Sequence, residues 1–189
     1  MKIGIDIDNT ITDTLPILRK YCIEYNEQVV KRNLKINEEG FASYNFFEWT
    51  EEENKNFCNL YLKEVVMQAT VKEDASKVIR KLREEGNEII IITARSLEHF
   101  KNPYQITKSF LEKNEIEYDE LILSTPHKIE ICLQKEIDIM LDDEPQNITE
   151  ISEHIPVIVF EGPQNKKCNG RNIIKVQHWK EVDSIIHNK

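Results

Sequence analysis

Four consecutive isoleucines, Ile89-Ile90-Ile91-Ile92, leave a β-strand without a polar face. Side chains alternate across a strand, so an unbroken apolar run must be buried on both sides, as in a parallel sheet covered by helices front and back. Most of the strands that the apolar pattern predicts share this character: Lys2–Asp6, Glu88–Thr93, Glu120–Ser124, Ile137–Leu141, Pro156–Phe160 and Asn172–Val176. Amphipathic stretches lie between them. Helices are expected over Ala75–Glu85, closed by Gly86; Pro103–Lys113, capped by Asn102; Lys128–Gln134; Gln146–Glu153; and Lys180–His187. Such repetition predicts an α/β fold with a doubly wound, mainly parallel sheet.

Residues 13–70 break the rhythm, because they contain no good strand. Leu15–Val30 and Glu51–Gln68 read as helices, the second opened by Thr50-Glu51-Glu52-Glu53, a capping-box pattern. A helical segment of this length exceeds an ordinary strand-to-helix connection. It predicts a small helical cap, residues 13–70, inserted into a core formed by 1–12 and 71–189.

With 40% hydrophobic and 31% charged residues, the 189-residue chain has the balance of a soluble globular protein. No apolar run approaches the ~20 residues that a membrane-spanning helix needs. Asp6 and Asp8 interrupt any N-terminal signal-peptide pattern, so a cytoplasmic protein is expected. Cys22, Cys58, Cys132 and Cys168 form no C-x-x-C pair and are expected to be reduced thiols rather than zinc ligands. A formal net charge of −9 argues against long nucleic acids and anionic membranes as partners, but allows a small anion in a locally positive pocket.

The first strand ends in Asp6-Ile7-Asp8, two carboxylates that a regular strand would turn the same way. Crowded and buried, they resist ionising together, and a chain tolerates that best where a cation, a shared proton or a reaction uses it. Ligands of open α/β sheets bind beyond the carboxyl ends of the strands. The other predicted ends there carry Thr93-Ala94-Arg95 and Asp142-Asp143-Glu144, and Lys128 opens the helix after the third strand.

This set resembles the motifs of the haloacid dehalogenase-like superfamily: Asp-x-Asp-x-Thr at 6–10, Thr93, Lys128 and Asp142-Asp143, with a helical insertion between the first two. Within it the chain is most similar to the small deoxyribonucleotidases and related bacterial nucleotidases. Asn9 stands where many members have Gly, and Asn also tolerates left-handed backbone.

The resemblance implies a Mg²⁺-dependent phosphomonoesterase acting on a small phosphorylated substrate, in first place a mononucleotide. Asp6 is then the nucleophile, and the metal is held by Asp6, Asp142 and the main-chain carbonyl of Asp8. Asp143 lies in the outer shell, acting through water or by orienting Lys128. Asp8 is the general acid and base, which calls for a raised pKa. Thr93 and Lys128 hold phosphoryl oxygens. Arg95 is read evenly as a phosphate contact or the partner of a surface acid. An acid at position 8 disfavours a carbon–halogen substrate.

In the insertion, Tyr44-Asn45-Phe46-Phe47-Glu48-Trp49 is the most aromatic stretch. Phe46 and Phe47 are expected in its own core, whereas Tyr44 and Trp49 are candidate substrate contacts, since every base offers a π-face. His99, His127, His154, His178 and His187 show no metal-ligand spacing and are expected at the surface or at helix ends.

Overall fold

Each apolar run becomes a strand in the computed structural model, which describes residues 1–98, 101–123 and 125–188. The chain enters on β1 (Lys2–Ile5) and the two-residue β2 (Thr12–Asp13). It then passes through α1 (Thr14–Tyr25), α2 (Ser43–Phe46), α3 (Glu51–Phe57) and α4 (Lys63–Gln68) to the short β3 (Thr70–Val71). Helix and strand alternate from there: α5 (Ala75–Glu84), β4 (Glu88–Ile92), α6 (Pro103–Lys113), β5 (Glu120–Ile122), α7 (Ile129–Lys135) and β6 (Ile139–Leu141). The chain closes with α8 (Pro145–Ser152), β7 (Val157–Phe160), β8 (Ile173–Val176) and α9 (Trp179–His187).

Six strands form one sheet in the order β5-β4-β1-β6-β7-β8, and every adjacent pair is parallel. The chain builds outward from β1 on one side and then crosses to build outward on the other. β1 is therefore the switch point, where a crevice opens beyond the strand ends.

The isoleucine run divides between the two faces as its period demands. Ile89 and Ile91 join Ile3, Ile5, Leu141 and Phe160 against α5, α6 and α9, while Ile90 and Ile92 join Met140, Val157 and Val159 against α7 and α8. Gly4 belongs to the second face. A Cβ there would lie 2.6 Å from Met140 Sδ and 3.3 Å from both Ile137 and Ile92 side chains. Gly4→Ala is expected to lower unfolding free energy by about 1–3 kcal/mol, the usual cost of overpacking, as read by urea denaturation. An unchanged urea midpoint would show that Met140 can withdraw without cost.

β5 stops at Ile122 and β6 begins at Ile139, each shorter than its apolar run, and three further details differ from the sequence reading. The insertion does contain strand: Thr12 pairs with Val71 and Asp13 with Thr70, antiparallel, where the chain leaves and rejoins the sheet domain. Only after the fold brings residues 12 and 71 together can so short a ladder form. The first strand, expected to run to Asp6, stops one residue earlier at Ile5, although the Asp6 N–H still donates to the Leu141 carbonyl at 2.9 Å. Asn102 stands at the start of α6 with φ +61°, but its side chain forms no capping bond.

Thr50 caps α3 reciprocally as the sequence predicts: its hydroxyl accepts from the Glu53 N–H, and Glu53 accepts from the Thr50 N–H. The helices between β2 and β3 share their own apolar cluster, which includes Leu18, Cys22, Tyr25, Phe46, Phe57 and Val65. All four cysteines are free thiols, three buried and Cys168 half-buried. His127, His154, His178 and His187 are exposed, and His99 and Ser124 lie outside the described residues. Among the described residues no helix is long and apolar enough to cross a membrane.

Candidate active site

Every acid that the sequence singles out sits at or just beyond the carboxyl end of β1 or β6, neighbouring strands of the sheet. Asp6 follows β1, and Asp142 and Asp143 follow β6; all three are buried. Lys128, buried at the entrance to α7, reaches across 122 residues of chain to donate to Asp6 Oδ1 at 2.6 Å and to Asp142 Oδ2 at 2.8 Å. One ammonium thus touches both carboxylates, which places their engaged oxygens within two hydrogen-bond lengths of each other. Asp142 also accepts from the Glu144 N–H at 2.9 Å through its other oxygen.

Three buried acids against one ammonium leave surplus negative charge. Burial pushes the Asp6 carboxyl up; Lys128 pulls it down, but Asp142 and Asp8 push it up again, and it settles at about 7. Burial, followed by the charges of Asp6 and Asp142, raises Asp143 well above the ordinary carboxylate value. Burial opposes the charge on Lys128, yet Asp142 and Asp6 outweigh it and its pKa is raised. Hard oxygens with excess negative charge suit a hard divalent cation. Among the described residues no group of three His, Cys, Asp or Glu side chains forms a metal cluster by itself. The donor set fits Mg²⁺, which characteristically takes only one or two carboxylates and fills its shell with substrate phosphate and water.

Asp8 departs from its predicted state. The Arg95 guanidinium grips it through two bonds, Nε to Oδ2 and Nη2 to Oδ1, both 2.9 Å, and the Thr14 hydroxyl donates to Oδ1 at 2.9 Å. Burial alone would raise this carboxyl, but Arg95 and Thr14 override it and hold Asp8 below the ordinary value. The raised pKa expected from sequence is therefore corrected in direction. Arg95 is buried, its guanidinium 5.5 Å from the Phe110 ring centroid, and it pairs with Asp8 through Nε and Nη2, while Nη1 is buried without a hydrogen-bond partner. Asn9 does adopt left-handed backbone, φ +60°, and its side chain accepts from the Leu15 N–H at 2.9 Å, tying the loop to the first turn of α1.

Thr93 is buried directly after β4, its N–H donating to the Ile122 carbonyl at 3.0 Å. Of the two outer-shell roles expected for Asp143, orienting Lys128 finds no support in the hydrogen bonds of the Lys128 ammonium, which go to Asp6 and Asp142. The Asp143 carboxylate accepts instead from Gln164 Nε2 at 2.6 Å, a residue the sequence reading missed. No motif marks Gln164, and only the folding of the β7–β8 loop over Asp143 reveals it.

In the insertion, Phe46 and Phe47 are buried as predicted. Trp49 is corrected: it packs against Tyr25, Phe47 and Phe57 at centroid distances of 5.0–5.5 Å and donates its Nε1 to Asn26 Oδ1, so it belongs to the helical core. Tyr44 remains 63% exposed. Burial and then the charge of Glu144 raise its phenol pKa.

Comparisons with known proteins give the family and the fold. The family model described as 5′ nucleotidase, deoxy (pyrimidine), cytosolic type C protein (NT5C) matches residues 1–189. A nucleotidase from Clostridium acetobutylicum is 31% identical over 191 residues, covering 98% of this chain and 93% of the relative. Among solved structures, a haloacid dehalogenase-like family hydrolase from Streptococcus pneumoniae superposes with a TM-score of 0.73 at 12% identity, over 98% of this chain and 97% of the other. A haloacid dehalogenase-superfamily hydrolase from Geobacter sulfurreducens gives 0.66 at 13% identity, over 97% and 98%. The family match over the whole length carries the assignment, and the structural likenesses carry the fold: the chain belongs to the NT5C family of 5′-nucleotidases, phosphomonoesterases built here on the haloacid dehalogenase-like fold.

Proposed function

We propose that the protein hydrolyses nucleoside monophosphates, deoxyribonucleotides in first place, through an aspartyl-phosphate on Asp6 and with Mg²⁺ as cofactor. One observation carries this reading: Lys128 draws Asp6 and Asp142 together at the switch point of the sheet, with Asp143 beside them. Asp6, Asp142 and the main-chain carbonyl of Asp8 would hold the cation, which supplies the positive charge that lets a carboxylate approach a phosphate.

The chain's own residues then do the following. An oxygen of Asp6 attacks phosphorus, and the bond to the nucleoside oxygen breaks. Thr93 and Lys128 stabilise the equatorial phosphoryl oxygens. The leaving oxygen takes a proton, and a water then attacks the phospho-aspartate, freeing inorganic phosphate and restoring Asp6. We assign both proton transfers to Asp8: it enters the cycle protonated and gives that proton to the leaving oxygen, and the carboxylate left behind, the form its pairing with Arg95 favours, takes the proton of the attacking water and is protonated again for the next turnover. Residues 13–70 act as the cap: the acids are buried, so substrate enters as this unit moves, and Tyr44 meets it at the mouth.

The test of function is a panel of nucleoside and sugar monophosphates assayed with and without Mg²⁺. Mg²⁺-dependent phosphate release, greatest with a nucleoside monophosphate, is expected; a preferred sugar phosphate would overturn the substrate assignment. Asp8→Asn is expected to release one equivalent of phenol from an aryl phosphate in a burst and then stall, slowed about 10²–10⁴-fold, because an aryl leaving group needs no acid while the second step needs a base. Linear turnover at the wild-type rate would remove Asp8 from the mechanism.

A further inference from the structure

We propose that Gln164 is a positioning residue for the acid cluster, that it holds Asp143 ready for a divalent cation, and that Gly162 provides the space this requires. The inference rests on the reading of the site as a cation site. The Lys128 ammonium donates to Asp6 and to Asp142, and Asp143 receives a neutral amide at 2.6 Å. A neutral donor fixes the carboxylate without cancelling its charge, so the surplus that would attract a cation is kept. A second ammonium there would have neutralised it.

The loop that delivers Gln164 is locked to the same residue. Asn165 is fully buried, and its amide donates to the main-chain carbonyls of Asp143 at 3.1 Å and Phe160 at 3.0 Å, while its Oδ1 accepts from the Gly162 N–H at 2.9 Å. Gln164 Oε1, by contrast, is buried with no hydrogen-bond partner. The amide is therefore steered by Asp143 on one side and by steric room on the other. That room is Gly162: a Cβ built there would lie 2.7 Å from Gln164 Oε1 and 3.2 Å from both Cδ and Nε2. The backbone at Gly162 lies outside the left-handed region, so alanine brings no dihedral strain. Its methyl would push aside only the end of a flexible side chain, and that end is the group holding Asp143.

The experiment uses the full chain with Gly162→Ala, Gln164→Ala and the double variant. Mg²⁺ is titrated against melting temperature and, separately, against phosphate release from an aryl phosphate. Each single variant is expected to raise the Mg²⁺ midpoint about tenfold in both readouts, at the lower end of what losing an outer-shell partner does to a metal site. The KM for substrate at saturating Mg²⁺ should not move. The double variant should match Gln164→Ala, because the added methyl then has nothing to displace. A wild-type midpoint in Gly162→Ala, or effects that add, would overturn the inference. If wild type itself shows no Mg²⁺-dependent shift, the reading of the site falls with it; a shift in wild type with unmoved variants removes only the role of Gln164.

Discussion

Asp6→Asn is expected to abolish phosphate release, by on the order of 10⁴-fold or more, while the fold stays at least as stable as wild type. The loss follows from the covalent route, because an amide cannot take the place of the attacking carboxylate. The gain in stability follows from the sign of the Asp6 shift. Its folded pKa is about 7 against an ordinary value of 3.8, so the fold favours the protonated, neutral form. In metal-free protein, stability is unaffected by this group below about pH 4, falls as pH rises through the interval to about 7, and stays lowered above it. Asparagine resembles the protonated acid at every pH. Without Mg²⁺, the melting temperature of Asp6→Asn should therefore exceed that of wild type at pH 8, and the difference should shrink towards pH 5. Substantial turnover by this variant would end the covalent mechanism. A melting temperature well below wild type at pH 8 would mean that the Lys128 ion pair outweighs the crowding of acids.

The sheet was legible because burial on both faces writes itself into sequence as unbroken apolar runs, and Ile89–Ile92 can satisfy no other arrangement. The acids were legible for a related reason: Asp6 and Asp142 terminate such runs, and polar residues at the ends of buried strands collect at one edge. Asn9 could be anticipated because a left-handed turn admits few side chains. Pairings between distant segments were not legible. Arg95 meets Asp8 across 87 residues, and Gln164 meets Asp143 across 21 residues that include α8 and β7. In each case the composition of either segment fits a solvated surface equally well. Asp8 shows the consequence most clearly, because a single unseen guanidinium reversed the direction of its pKa. Trp49 failed for another reason: an aromatic that stacks on a base and one that fills a small helical core have the same local sequence, and only its contact with Tyr25 and Asn26 separates them. The Thr12–Asp13 and Thr70–Val71 ladder is too short to carry any pattern of its own.

Lys128→Met keeps the length and apolar stem of the side chain but removes the cation that Asp6 and Asp142 share. Breaking a buried ion pair from one side leaves uncompensated charge, with a typical cost of 3–5 kcal/mol. About that loss is expected here at pH 8 without Mg²⁺, as read by urea denaturation. The cost should depend on pH in a defined way. Lys128 stays charged throughout the working range, because Asp142 and Asp6 raise its pKa against the opposing effect of burial. The acids do not stay charged: Asp6 and Asp143 already have raised values, and removing the ammonium raises them further. Lowering the pH to 5 lets them neutralise inside the fold, so the deficit relative to wild type should narrow there. Mg²⁺ at pH 8 should narrow it as well, by supplying the missing positive charge. Activity is expected to fall about 10²–10³-fold even at saturating Mg²⁺, since a preorganised donor to the phosphoryl oxygens is gone. A deficit equal at pH 5 and pH 8 would mean that Lys128 stabilises the fold through packing of its stem rather than through its charge.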